Sequence, residues 1–356
     1  MDNQTEQICE NKSLKNSKNS EHTTDNTIEN NNKHLVEFKN GTYDLHNKTF
    51  TNKENENALI KYDYDIYDKN HPDVIYVENF FKQIQPEDDM RLFLLCYTAS
   101  LLKGGNYDQK FMLLYGDDNA SREMYVDLLK QTFDKYFGNA STSLIMKKSK
   151  NDNEDNNEDN CEQDDDKQDC IQTCELSNKQ NTRILMIQQT ETNNDTNIDI
   201  CRMKELSGLD SILARKLYSK PFYFVPQFKL MMCCSKLPDI NEIDNGTWRR
   251  MSVIKFESKL TNNENKEKLL SVKGAFMWLL INVYYPIYDE KGLKNLIPDK
   301  VSKTLEEYKK TIEEHKKMSE EHKKMLKLTE LKEFEEFKEN KKEFEEFKEY
   351  KKMLKI

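Results

Sequence analysis

The chain has 356 residues, 55 Lys plus Arg against 64 Asp plus Glu for a formal net charge of −9, and only 36% apolar residues; its mean hydropathy is −0.94. No stretch approaches the roughly 20 consecutive apolar residues of a membrane-spanning helix, and the opening MDNQTEQICENKSLKNSKNS lacks the apolar core of a secretory signal. A soluble chain made in the cytosol is expected, its eight cysteines reading as free thiols rather than as a disulfide framework.

Residues 1–34 are Asn, Lys, Ser, Thr and Glu with hardly an apolar side chain, and are expected as a disordered tail. Apolar residues begin at Leu35, Val36 and Phe38, and resume after Asn40-Gly41 at Tyr43 and Leu45, the pattern of a hairpin. Between 74 and 103 the period changes: Val77, Phe80, Phe81 and Ile84, then Leu92, Leu95, Cys96, Ala99 and Leu102 predict two helices, the second ending at Gly104-Gly105. Lys110 to Tyr115 reads as a buried strand that stops at Gly116, and the spacing of Met124 to Phe137 predicts a helix.

Residues 151–170 hold ten carboxylates and one base, Lys167, so this stretch carries the whole net charge and the rest of the chain balances. The overall acidity therefore says nothing about whether that remainder binds nucleic acid. A run of like charge does not pack into a sheet, so 149–180 is expected as a solvated insertion, with a nucleic-acid mimic as the sharper alternative. Of Cys161, Cys170 and Cys174 only the last pair has ligand-like spacing and no fourth ligand is evident, so no metal site is expected.

Further strands are predicted at Arg183–Ile187, Phe228–Cys234 and Met251–Phe256, the last with alternating faces. Strands alternating with helices predict an α/β domain over 108–300 with a largely parallel sheet, preceded by a hairpin and helical leader over 35–107. From 301 to 356 the composition turns to Glu and Lys, with EEHKKM at 313–318 and 320–325 and a ten-residue repeat over 333–352. Ten residues fall about 80° short of three helical turns, so the stripe through Met325, Leu328, Leu331, Phe334 and Phe337 drifts around the helix. A solvated helix held by Glu/Lys pairs is expected rather than a long two-stranded coiled coil, with oligomerisation through the aromatics as the alternative.

Strand, Gly116, four residues and a helix is the layout of a phosphate-binding loop, and the G-x-x-x-x-G-K-[ST] register gives Gly116-Asp117-Asp118-Asn119-Ala120-Ser121-Arg122-Glu123. Only the first glycine survives. Ser121 puts a Cβ where the backbone must approach phosphate, Arg122 keeps charge without the compact ammonium, and Glu123 replaces a neutral metal ligand with a carboxylate.

Beyond that loop, NGTYDL at 40–45, FLLCYTASLLKGGNYDQKFMLLYG at 93–116, MKELSGLDSILARKLYSKPFYFVPQFKLMMCCSKLP at 203–238 and GTWRRMSVIKF at 246–256 follow in order. Together they resemble the superfamily 3 helicase domain of the poxvirus-type and phage-type primase-helicases of large DNA viruses, mimivirus-like ones in particular, over roughly residues 35–308. The resemblance implies an α/β, AAA+-like P-loop NTPase core, ATP with Mg2+ as cofactor, and DNA, further copies in a hexamer or a helicase paralogue as partners. It places the protein in DNA replication, in the host cytoplasm at the viral factory or in the virion. It also implies a preceding primase part and a winged-helix end, where this sequence has its polar tail and its Glu/Lys repeats.

Residue by residue, the resemblance sets Gly116, Asn119, Ser121, Arg122 and Glu123 at the nucleotide. Gln189 stands where the family has its catalytic glutamate, with Glu191 two residues on as the alternative, and Ser235 where the sensor strand ends in Asn. Arg249 and Arg250 match the arginine-finger region, and Arg215, Lys216 and Lys220 lie on the hairpin that faces DNA. Three of four nucleotide-handling positions lack the family's group. The expectation is a degenerate pseudo-ATPase acting as a binding or regulatory subunit, against an active helicase using Arg122 on phosphate, or an interaction scaffold working through the charged C-terminal helix.

Overall fold

The computed structural model describes residues 32–116, 119–148, 173–188, 196–240, 244–257 and 266–353. Of the expected tail (1–34) all but residues 32–34, and of the expected insertion (149–180) all but residues 173–180, lie outside them; within the latter, Leu176 and Ser177 are buried rather than solvated. The chain divides into two units, one ending at Leu305 and one beginning at Glu306.

The first unit opens with an antiparallel sheet of β1 (Leu35–Phe38), β2 (Gly41–Asp44) and β3 (Thr49–Asn52). Phe38 pairs with Gly41, so Lys39 and Asn40 make the turn and Gly41 belongs to the strand. A Cβ at Gly41 would lie 2.3 Å from the Thr51 carbonyl oxygen. Glycine there lets β3 approach, and β3, with one apolar residue in TFTN, gave no strand signal of its own.

Two helices follow, α1 (Pro72–Ile84) and α2 (Asp88–Ser100). Pro72 opens α1, and His71 caps it by accepting the Asp73 N–H on Nδ1 at 3.2 Å. The second helix stops short of Gly104-Gly105. Its end tightens as the N–H groups of Leu101, Leu102 and Lys103 donate to carbonyls three residues back at 3.1, 3.0 and 3.3 Å. The carbonyls of Ser100, Lys103 and Gly105 then converge on the Lys229 ammonium at 2.8, 3.2 and 3.0 Å.

Next come β4 (Phe111–Tyr115), α3 (Asn119–Phe133), β5 (Phe137–Ala140), β6 (Met146–Lys148), β7 (Ile184–Gln188), β8 (Thr196–Ile198) and α4 (Ile200–Leu206). They lead to β9 (Ile212–Ala214), β10 (Phe222–Phe224), β11 (Lys229–Cys234), α5 (Asn245–Arg250) and β12 (Met251–Lys255). Five of these strands form one sheet in the order β12-β4-β11-β7-β5, every pair parallel. Counting only its own strands along the chain, the order is 5-1-4-3-2. The molecule is thus a mixed α/β fold with a parallel central sheet, consistent with a P-loop NTPase.

Two departures from the sequence reading have clear causes. Met251 to Ile254 are all buried rather than alternating, because a parallel sheet is covered on both faces. The helix expected to reach Phe137 ends at Phe133, since Asp134 takes a positive φ of 47° and opens a 3-10 turn, Asp134–Tyr136. The chain then enters β5, an edge strand whose sequence FGNA carries almost no apolar signal.

The leader is bonded to the sheet domain at several points. Gln85 donates Nε2 to the Lys255 carbonyl at 2.9 Å, the Tyr62 hydroxyl donates to the Thr132 carbonyl at 2.7 Å, and Arg183 donates Nη2 to the Leu35 carbonyl at 2.6 Å. Behind the sheet lie α6 (Lys266–Ser271), α7 (Lys273–Leu279), a π-helical turn at Leu280–Tyr284 and α8 (Tyr285–Lys291). Phe276 on α7 stacks on Phe81 of α1 with centroids 5.2 Å apart.

The last helix, α9 (Asp299–Met353), begins in the first unit, and its residues from Glu306 on make up the described part of the second. Met325, Leu328, Leu331, Phe334 and Phe337 are all exposed on it. Lys338, Lys348 and Lys351 lie over the rings of Phe334, Phe344 and Phe347 at 4.3, 4.6 and 5.0 Å. All three are i,i+4 contacts within one helix. Among the described residues no helix is long and apolar enough to cross a membrane.

Candidate functional site

In a parallel sheet all strands end at one edge, and in open α/β sheets ligands bind beyond that edge. Here Cys234 pairs with Tyr115 and Cys233 with Gln188, so β4 and β11 end level and β7 ends one residue short of them. Gly116 and Ser235 therefore leave the sheet side by side, next to the end of β7. Gln189 and Glu191 lie outside the described residues; β7 delivers the chain as far as Gln188, which is exposed.

Gly116 has φ +140°, and a Cβ on it would stand 2.2 Å from the Phe256 carbonyl oxygen. The crowding arises because β12 runs on past its end: the Phe256 N–H donates to the Tyr115 carbonyl at 2.8 Å. From Asn119 the chain is helical. Arg122, on the first turn of α3, is 6% exposed. Its Nη1 donates to the Gly116 carbonyl at 2.9 Å, and its Nη2 donates to the Asn119 side-chain oxygen. The guanidinium is thus folded back onto the loop from which it springs. Ser121 is fully buried and Glu123 exposed. Cys233 and Cys234 line the adjacent strand end; burial pushes both thiols up to about 12, partly offset by the Arg122 charge.

The Arg249–Arg250 pair ends α5. Asp244 caps this helix, taking the Thr247 N–H at 2.6 Å and its hydroxyl at 3.1 Å, and pairs with Lys204 of α4. The Lys204 hydrogen bond first, and the Thr247 N–H second, hold the Asp244 carboxyl down at about 2. The two arginines face different ways. Arg250 is half-buried and donates Nη1 to the Gly246 carbonyl at 3.1 Å, while Arg249 is exposed and its backbone carbonyl accepts from Lys110 Nζ at 2.8 Å.

Arg215, Lys216 and Lys220 lie together at the exposed end of a separate antiparallel ribbon, in which Ala214 of β9 pairs with Phe222 of β10. Arg215 Nε donates to the Ser219 carbonyl at 3.2 Å. The structure therefore assembles Gly116, Asn119 and Arg122 in direct contact, Ser235 at the same sheet edge, and the three basic residues on a hairpin of their own.

Sequence reasoning passed over Lys229 and Arg183. Lys229 opens β11 as the single charge in FKLMMCC and is buried, which pushes its ammonium down to about 7. Arg183 is buried against the Tyr136 ring at 4.4 Å. The one signal available was a cation at the start of an apolar run, where a strand end must meet some acceptor.

No family model matches the chain. A candidate helicase of Acanthamoeba polyphaga mimivirus is 28% identical over 302 residues, covering 78% of this chain and 29% of that protein. One of Invertebrate iridescent virus 6 is 26% identical over 317 residues, covering 78% of this chain and 31% of that protein. The chain is thus similar to candidate helicases of several viruses. It spans less than a third of the length of either of these two relatives. Among solved structures, an apo form of the NrS-1 C-terminal region aligns with TM-score 0.47 and 11% identity over 66% of this chain and 51% of that one.

Proposed function

We propose that this chain is a helicase-fold subunit linked to viral DNA replication that binds or regulates rather than hydrolysing ATP efficiently. The observation that carries the reading is the Arg122 guanidinium, buried and bonded to the Gly116 carbonyl and the Asn119 side chain. A phosphate loop works by turning backbone N–H groups and an ammonium toward the triphosphate and a neutral hydroxyl toward Mg2+. The residues here do not fit that cofactor. Arg122 is engaged with its own loop, Glu123 brings a carboxylate to the hydroxyl's position, and Gln189 has no carboxylate with which to act as a base.

Support for a place in DNA replication comes from the viral candidate helicases that the chain resembles. In this reading Arg215, Lys216 and Lys220 contact nucleic acid. Arg249, whose side chain is exposed, faces a neighbouring subunit, a second copy or a helicase paralogue, while Arg250 braces α5. The host cytoplasm is the corresponding location.

The test is nucleotide binding by calorimetry, with hydrolysis measured in parallel, on the wild type and on a variant carrying Ser121→Gly, Arg122→Lys, Glu123→Ser and Gln189→Glu. Little or no hydrolysis by the wild type and a gain in the variant are expected. Helicase-like hydrolysis by the wild type, abolished by Gln189→Ala, would sink the proposal.

A further inference from the structure

The tip of the β9–β10 hairpin is built in an unusual way. The Ser219 N–H donates to the Lys216 carbonyl at 3.0 Å, closing a four-residue turn over Lys216, Leu217, Tyr218 and Ser219. Tyr218 is the third residue, and its φ is 59°. A positive φ at that place is the pattern of a type II turn, whose third position glycine fills at least cost. A bulky side chain in this region is a genuine outlier and carries strain that packing must normally compensate. No packing does so here, since Tyr218 is 96% exposed. Leu217 beside it is 70% exposed, and Tyr223, on the outward face of β10, is 71% exposed.

A strained aromatic held in solvent has no folding role to explain it. What surrounds it is cationic: Arg215, Lys216 and Lys220 all lie within three residues of Tyr218 and are exposed. An aromatic face between cations is the chemistry that takes unpaired nucleotides, because ammonium and guanidinium groups track phosphates while the ring stacks on a base. Duplex DNA offers the same phosphates but keeps its base faces covered. We propose that Tyr218 is a base-stacking residue and that it makes the hairpin select single-stranded over double-stranded nucleic acid. This inference rests on the reading of the hairpin as a nucleic-acid contact.

The test is binding of the full chain to a fluorescent oligothymidylate and to a duplex of equal length, by anisotropy at several salt concentrations. Tyr218→Gly removes the ring and relieves the turn, so its thermal stability should equal or exceed that of the wild type. Its affinity for the single strand is expected to fall about ten-fold with duplex affinity unchanged, as for loss of one stacked base. Tyr218→Trp should restore single-strand binding. Replacing Lys216 and Lys220 with Ala should weaken both ligands and lower the salt slope by roughly one unit per lysine. If the lysine variant loses binding but Tyr218→Gly matches the wild type on both ligands, the stacking role is overturned and the hairpin contact stands. If the lysine variant binds both ligands as the wild type does, or the wild type binds neither, the hairpin contact itself fails and takes the stacking role with it.

Discussion

Arg122 donates to the carbonyl of Gly116 at 2.9 Å, six residues back along its own chain. A side chain expected to reach outward for phosphate is instead an internal strut joining the end of β4 to the first turn of α3. Removing it strands a buried carbonyl and the Asn119 side chain. Arg122→Ala should therefore cost about 1.5 to 3 kcal/mol, the range for a hydrogen bond to a charged group, read by urea unfolding. An unchanged unfolding midpoint would show that the strut carries no load.

Gly116 is the one glycine of the phosphate-loop pattern that persists, and the backbone alone accounts for it. A Cβ there would meet the Phe256 carbonyl at 2.2 Å, and its φ of +140° is one that side chains rarely adopt. Gly116→Ala should destabilise by roughly 2 kcal/mol or more, with or without nucleotide in solution. A substitution that folds normally in calorimetry would contradict this geometry.

Lys229 links stability to pH. Burial sets its folded value at about 7, below the roughly 10.4 of an unfolded lysine. Between those values the unfolded chain holds the proton and the folded chain releases it, so this group adds stability as pH rises through the window. Urea unfolding at pH 7, 8 and 9 should show the wild type gaining on Lys229→Met by up to about 1.4 kcal/mol per pH unit. Parallel pH profiles for the two proteins would rule the linkage out.

The thiols should divide sharply. Cys96, Cys233 and Cys234 are buried, and burial raises each thiol to about 12, so almost none is thiolate at pH 8. Cys201 on α4 is exposed. Brief alkylation of the native protein followed by peptide mass spectrometry should modify Cys201 and spare the other three. Rapid labelling of Cys233 would mean that the end of β11 opens readily.

What could be read in the sequence follows from where the apolar residues lie. β4, β7 and β11 are covered on both faces, so FMLLY, ILMIQ and KLMMCC announce themselves as short apolar runs. β3 and β5 are short and held by their neighbours rather than by their own side chains, and nothing in TFTN or FGNA marks them. At the site, the phosphate-loop register named Gly116, Asn119 and Arg122, and the structure brings these three into contact. It did not tell that Arg122 folds inward, because that depends on a carbonyl and an amide which β4 and α3 present only once both have formed. Lys229 was hidden for the same reason: its three acceptors come from α2 and the turns after it, more than 120 residues away in the chain.

That distance has a consequence for how the molecule comes apart. Separating the leader from the sheet would leave the Lys229 ammonium and three carbonyls without one another, together with the groups now joined as Arg183 to Leu35, Tyr62 to Thr132 and Gln85 to Lys255. Each broken pair sits at least partly out of water, so such a cut gives up all of these hydrogen bonds at once. Residues 35–107 and the five-stranded sheet are in this sense one cooperative folding unit, and a fragment begun at residue 108 is a damaged half of it.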